Sequence, residues 1–333
     1  MNRASKPQAP RRSTRAGKPF PLTLAVAKYD RTLPILDGRV KPEGITLKAT
    51  SGGIGEFCLR PVYEEYDVAE MSLSWYVMAR ARGEPVIALP IFPLRMPVHA
   101  YLFCRADSPY THPRDLVGKR IGTERYRLTV NLWVRGILKE HYGVRPEEIL
   151  WVTAGEEGAG FTLPKEIPLT TLTDKNMEEL LFSGEIDCLL WPVVPASFRR
   201  GDPRIRRLFP DAQAEFRDYV RTTGIYPITH TVVMGEALWR REPWIAERMV
   251  AALRESQRLV EEFYREDPKH LVLPSALFML EEERAVFGPD PCAHGLEPNR
   301  RVIETFVRYA WEQGYIERRL GLEELFAANT HSL

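Results

Sequence analysis

Residues 67–104 read DVAEMSLSWYVMARARGEPVIALPIFPLRMPVHAYLFC. Apolar residues from Val68 run up to the carboxylate of Glu70, which predicts a short strand over Val68–Met71. Ser72 opens a helix that reaches about Arg82, and Gly83 stops it. Val86–Phe92 reads as the next strand and rises into Pro93, Arg95 and His99, and Val98–Cys104 reads as another. Ionisable and hydroxyl groups thus sit at strand ends while apolar residues fill the strand bodies. That is the pattern of an α/β sheet, which presents ligands beyond the carboxyl ends of its strands. Glu70, Ser72, Ser74, Arg95 and His99 form a candidate site suited to an anion.

Outside this block the strand–helix alternation continues. Leu22–Ala27 and Gly44–Ala49 read as strands, the second set off by the turn Pro42-Glu43-Gly44, and residues 54–65 as a helix. Lys119–Thr123 is a strand, followed by a strongly amphipathic helix over Leu128–His141 with Gly143 as its stop. Ile149–Thr153 and Ile186–Trp191 are strands. Between them lie a Gly- and Glu-rich loop at 154–168 and a short helix capped by Asn176 and ended by Gly184. From Arg199 to a short strand at Thr231–Met234 the chain reads as irregular; beyond it, helices are expected near 242–265, 275–286, 298–313 and 323–328. Short loops between alternating elements predict parallel sheets. Two such units with a helical end predict two lobes: 21–103 with 228–333 as lobe 1, and 104–227 inserted as lobe 2. Val98–Cys104 and Thr231–Met234 are expected to pair as hinge strands, with the ligand in the cleft between lobes.

The 333 residues, 44% hydrophobic and 27% charged, can bury one large core or two ordinary ones. The net charge of +1 hides an asymmetry. Residues 1–20 carry Arg3, Lys6, Arg11, Arg12, Arg15 and Lys18 with no acid, and read as a disordered basic tail. The rest holds 40 basic and 45 acidic residues, so it offers no general field for nucleic acid. No apolar run approaches a membrane span, and the apolar residues after Phe20 are too interrupted for a secretory signal. The four cysteines (Cys58, Cys104, Cys188, Cys292) form no CxxC pair and read as reduced thiols, so the cytoplasm is the expected compartment. The helical C-terminal third can cover the sheet or serve as a dimer surface, which leaves a homo-oligomer open.

Several chemistries find no motif. Seven dispersed histidines form neither HxH nor HExxH, so no metal site is predicted, and one assembled from distant residues stays open. The chain has no GxGxxG, GxxxxGK[ST] or GxSxG, which disfavours nucleotide binding and a serine hydrolase. The remaining candidates are acid–base and anion-binding groups. Arg95 can hold a carboxylate through two parallel hydrogen bonds or form a surface pair. His99 can donate a proton near neutral pH or bond to backbone as a buried histidine. Glu124, Arg125, Tyr126 and Arg127 precede a helix start that attracts anions, with Thr129 and Asn131 as nearby donors. Arg135, further along that helix, is expected to pack. His230 enters the expected hinge strand, as a cleft residue or as a structural bond across the hinge. Glu70 can orient a histidine or take a phenolic proton, Ser72 can be a helix cap alone, and Asp187 reads as a turn residue.

The ordered set LDG-V-PEG from Leu36, EMSLSWY at 70–76, PIFPLR at 90–95 with a following histidine and GKRIGTERY at 118–126 continues with Trp133, Arg135 and Gly136. It runs on through GEIDCLL at 184–190, RLFPD at 207–211, TGIYPITHTVVM at 223–234, Pro243-Trp244 and a late Glu312-Gln313-Gly314. Together these resemble the 4,5-dihydroxyphthalate decarboxylase family, over about residues 22–328. The resemblance implies an α/β, two-lobed, periplasmic-binding-protein-like (type II) fold with a central ligand cleft and a helical C-terminal region. It also implies a small anionic aromatic substrate and loss of carbon dioxide. For that chemistry His99 or His230 is expected as acid, Glu70 or Glu124 as its partner, and Arg95 and Arg125 as carboxylate clamps. Ser72, Ser74, Tyr126 and Thr129 are expected as further contacts. Ring protonation requires no organic cofactor, and neither nucleic acid nor membrane is expected as a partner. The alternatives are a solute-binding protein that performs no chemistry and a different lyase on the same scaffold.

Overall fold

The computed structural model describes residues 18–53, 61–158, 160–266 and 268–333. The basic tail up to 17, most of the helix expected over 54–65, and Cys58 lie outside the described residues; Val62–Glu64 form a single 3-10 turn.

Two sheets organise the chain. The first has the order β2-β1-β3-β11-β4, from β1 (Phe20–Ala27), β2 (Ile45–Gly52), β3 (Val68–Ser72), β4 (Val86–Leu89) and β11 (His230–Gly235). The second has the order β10-β5-β9-β6-β7-β8. It is built from β5 (Leu102–Arg105), β6 (Arg120–Thr123), β7 (Leu150–Thr153), β8 (Leu169–Thr171), β9 (Cys188–Leu190) and β10 (Ile205–Arg207). The sequence predicts parallel sheets, and the structure corrects this in part, because each sheet keeps parallel pairs but is mixed. β11 runs antiparallel to both β3 and β4, and β5 runs antiparallel to β9 and β10. The reversed strands are the first ones after each passage between the sheets, β5 on the way out and β11 on the way back.

The same return corrects the expected hinge. β5 and β11 belong to different sheets and cannot pair. The two crossing segments lie side by side instead: Arg95 bridges Ile228 antiparallel, Met96 N–H donates to Pro227 O at 3.0 Å, and Thr229 N–H donates to Leu94 O at 2.9 Å. His99 is accordingly not in a strand; Val98–Tyr101 form a 3-10 turn before β5 begins.

The helices that position the site are α1 (Leu73–Ala81) and α2 (Thr129–Tyr142). The first ten residues of α2 are all buried, and Gly143 ends it at φ 65, in the left-handed region glycine enters without strain. Trp133 Nε1–H reaches Ile228 O at 2.7 Å, so α2 is tied to the returning crossover. α3 (Met177–Ser183) is capped by Asn176 Oδ1 as its sequence predicts. α4 (Ala212–Thr223) occupies a stretch read as irregular; Asp211 caps it and Gly224 ends it. α5 (Trp244–Glu266) covers the first sheet with Ile245, Met249 and Leu253 buried. α6 (Ala276–Phe287) lies on α4, and α7 (Arg300–Glu312) lies on α2. The chain end returns to the first sheet, where Ala327 N–H donates to Ala88 O at 2.9 Å.

Candidate active site

The register of β11 against β3 places His230 opposite Ser72 and Val232 opposite Glu70. Alternate strand residues share a face, so Glu70, Ser72 and His230 meet where the first sheet turns toward the second. His230 Nδ1–H donates to Glu70 Oε1 at 2.5 Å. Tyr29 O–H donates to the same oxygen at 2.7 Å, and Ala27 N–H donates to Oε2 at 2.9 Å. Glu70 is 1% exposed. Burial alone would raise its carboxyl; the donors from His230, Ala27 and Tyr29 outweigh it and hold the group below the usual carboxylate range. Three donors, two of them on Oε1, fix this carboxylate in place, so Glu70 is arranged to orient His230.

Ser72 occupies the N-cap position of α1, but its side chain does not cap the helix. The hydroxyls form a buried chain instead. Ser72 Oγ lies 2.7 Å from Thr129 Oγ1, Thr129 donates to Ser74 Oγ at 2.8 Å, and Ser74 donates to Arg127 O at 3.1 Å. Each hydroxyl carries one proton, which makes Ser72 the donor to Thr129. Thr129 Oγ1 also accepts from Ser74 N–H at 3.0 Å. The start of α1, on the first sheet, thereby meets the start of α2, which follows β6 of the second. Neither N-cap residue, Ser72 or Leu128, caps its own helix; at the start of α1 Leu73 N–H donates instead to Thr229 O at 2.9 Å and Ser74 N–H to Thr129, and both helices direct positive dipole ends at this junction.

The other expected residues lie apart from this group. Arg95 is anchored at the crossover: Nη2–H donates to Ala293 O at 2.8 Å and to Asn299 Oδ1 at 2.7 Å, and Nη1 lies 3.4 Å from Tyr226 O. Both bidentate edges of a guanidinium include Nη2. With both Nη2 protons taken, the two-bond carboxylate clamp expected of Arg95 is not available in this geometry. Its buried Nε has no partner among the described residues. Arg125 pairs with Glu124 at 3.3 Å and donates to Glu156 O at 3.0 Å, both side chains partly exposed. Tyr126 is 1% exposed and packs beneath the Arg135 guanidinium, 3.6 Å from its ring centroid. Arg135 itself spends its donors on Gln313, Tyr126 O and Tyr315, the packing role expected of it. Asn131 holds Thr123 Oγ1 and Arg125 O, and Asp187 receives Arg120 N–H and Tyr110 O–H.

His99 does not join His230. Its ring lies among Tyr142, Phe209, Phe216 and Tyr219, and neither ring nitrogen has a partner among the described residues. It faces Val134, Ile137, Leu138 and Tyr142, the half of α2 away from Thr129. Thirteen residues of helix separate Thr129 from Tyr142, about 20 Å at 1.5 Å per residue. Burial holds the imidazole neutral, pushed down to about 4. A group in that state does not donate a proton near pH 7.

Two residues were missed from sequence: Tyr29, and Arg31, whose guanidinium lies 4.2 Å above the Tyr29 ring centroid and donates through Nε to Pro93 O at 2.5 Å. Both follow the carboxyl end of β1, so the strand-end rule that singled out Glu70 could have found them. Among the described residues no group of three or more His, Cys, Asp or Glu side chains is placed to hold a metal ion, and no helix is long and apolar enough to cross a membrane.

Two α/β sheets joined by paired crossovers, with buried polar groups at their junction, define a two-lobed periplasmic-binding-protein fold. The periplasmic aliphatic sulphonate binding protein SsuA of Escherichia coli matches it with a TM-score of 0.56 at 12% identity, over 95% of this chain and 100% of that one. No family model matches the sequence. The 4,5-dihydroxyphthalate decarboxylase of Comamonas testosteroni is 33% identical over 315 residues, 92% of this chain and 96% of that protein. The protein of the same name from Pseudomonas putida is 34% identical over 60% of this chain and 81% of its own length. The chain belongs to the 4,5-dihydroxyphthalate decarboxylase family and is a carboxy-lyase.

Proposed function

We propose that the protein removes carbon dioxide, without oxidation, from a hydroxylated aromatic dicarboxylate of the 4,5-dihydroxyphthalate type by protonating the ring. The observation that carries this reading is the buried Glu70–His230 pair set against the Ser72–Thr129 junction, together with the shared name of the relatives.

Direct cleavage of a ring–carboxylate bond leaves a high-energy aryl anion. A hydroxyl para to the leaving carboxylate removes this difficulty by supplying electron density to the carbon that bears it. That carbon takes a proton first; the electrons of the broken carbon–carbon bond then restore aromaticity as carbon dioxide leaves. His230 is the proton donor in this scheme. Nδ1 is engaged by Glu70, so the proton passes from Nε2. Glu70 fixes the ring orientation and favours the imidazolium. Acid catalysis of this kind contributes roughly 10²–10⁴-fold, and positioning contributes much of the rest. The starts of α1 and α2 supply positive dipole ends for the substrate carboxylates. Ser72 reaches a carboxylate by turning its hydroxyl away from Thr129, at the loss of one neutral hydrogen bond.

The test is incubation with 4,5-dihydroxyphthalate and related hydroxybenzoates in D₂O. The expected result is carbon dioxide release with one deuterium on the carbon that lost the carboxylate. Ligand-induced thermal stabilisation without product, across the whole panel, means that the protein only binds.

A further inference from the structure

We propose that Tyr29 is a positioning residue of this site: its phenol O–H fixes the Glu70 carboxylate that holds His230. The inference rests on the proposed role of His230.

The geometry supports a direct coupling. Tyr29 and His230 donate to one and the same oxygen, Glu70 Oε1, at 2.7 and 2.5 Å, while Oε2 is occupied by Ala27 N–H. Two donors on one oxygen compete for its electron density. What Tyr29 withdraws is not available to His230, so the phenol sets how strongly Glu70 favours the imidazolium. Tyr29 is itself held. The Thr32 hydroxyl accepts from Tyr29 N–H at 2.9 Å and donates to Ala27 O at 2.7 Å, which closes the turn after β1. The Arg31 cation lies over the ring, and Arg31 is fixed by Asp30 at 3.2 Å and by Pro93 O. Asp30 also receives the hydroxyl of Tyr264 from α5 at 2.7 Å. Among the described residues, the charged and titratable groups of this network include Glu70 and His230 on one side and Arg31, Asp30 and Tyr264 on the other. Of these hydrogen bonds, the one from the phenol O–H to Glu70 Oε1 is the one that requires a tyrosine.

The experiment is a titration of His230 in the ligand-free full chain, followed by NMR of ¹⁵N-labelled histidine and assigned by the signal lost in His230→Gln. In Tyr29→Phe the ring stays beneath Arg31 and only the hydroxyl is removed. Glu70 then attracts the remaining donor more strongly, and the His230 midpoint is expected to rise by about one pH unit, the scale of one hydrogen bond to a charged group. In the Glu70→Gln background the same substitution is expected to move the midpoint little, because the coupling runs through the carboxylate. Circular dichroism establishes that each variant is folded. An unchanged or lowered midpoint in Tyr29→Phe, or an equal shift in the Glu70→Gln background, overturns the proposal. The titration needs no substrate, so a failure to release carbon dioxide sinks the proposed reaction and leaves this measurement standing.

Discussion

Replacing Glu70 by alanine removes the acceptor from three buried donors at once: Ala27 N–H, Tyr29 O–H and His230 Nδ1–H. A single buried donor left without a partner costs about 1–3 kcal/mol, and removing one side of a buried charged pair costs about 3–5 kcal/mol. The three donors share one pocket, so their losses do not add, and about 3–5 kcal/mol is the expected total. At the roughly 2–4 °C per kcal/mol typical of larger domains, the thermal midpoint falls by on the order of 10 °C. Glu70→Gln keeps the volume and one acceptor oxygen, and loses less. The two proteins also differ with pH. The Glu70 carboxyl is held below its ordinary value by its donors against the raising effect of burial. Its contribution is therefore present above the unfolded carboxyl value of about 4.3 and disappears as pH falls through the lower folded value. The gap in midpoint between wild type and Glu70→Gln is expected to shrink as pH falls through the carboxyl range. The assay is thermal unfolding by circular dichroism from pH 3 to 8. A Glu70→Ala protein that melts together with wild type at pH 7 would refute the geometry from which the site is built.

His230→Gln is expected to lower kcat for carbon dioxide release by about 10²–10⁴-fold, with binding of the decarboxylated product, measured by calorimetry, largely retained. His99 is neutral in the fold, at about 4, and titrates near 6.5 when unfolded, so its burial loses stability as pH falls between those values, by up to roughly 3 kcal/mol. His99→Phe removes that loss: its melting midpoint at pH 5 should exceed that of wild type while turnover persists, and a collapse of turnover would return His99 to the chemistry. Gly136→Ala runs against helix propensity. Alanine is the better helix former, but a Cβ at this position of α2 lands in the Tyr309 ring of α7, so denaturant unfolding should show a loss of about 1–3 kcal/mol.

Much of the scaffold was legible because the relevant signals are local. Alternating strand and helix patterns placed β1, β3, β6 and α2 to within about two residues, the usual tolerance of helix and strand ends. Glycine stops at 143 and 184 marked helix ends by a conformation that only glycine adopts easily. α4 was missed although Asp211, Gly224 and buried Ala212, Phe216, Tyr219 and Thr223 carry the same kind of signal. Glu70, Ser72 and His230 were legible as candidates because each stands at the end of an apolar strand. Strand partners were not legible. Whether Thr231–Met234 pairs with Val98–Cys104 or with Val68–Ser72 depends on which sheet the returning chain enters, and no local pattern records that choice. The same holds for histidines. The residue types around His99 and His230 looked equally suited to acid catalysis in the linear chain. Only the packing of α2 and α4 seals one imidazole among aromatic rings, and only the β3–β11 register sets the other against a carboxylate. Burial and partner decide what a titratable group does, and both are properties of three-dimensional neighbours rather than of sequence neighbours.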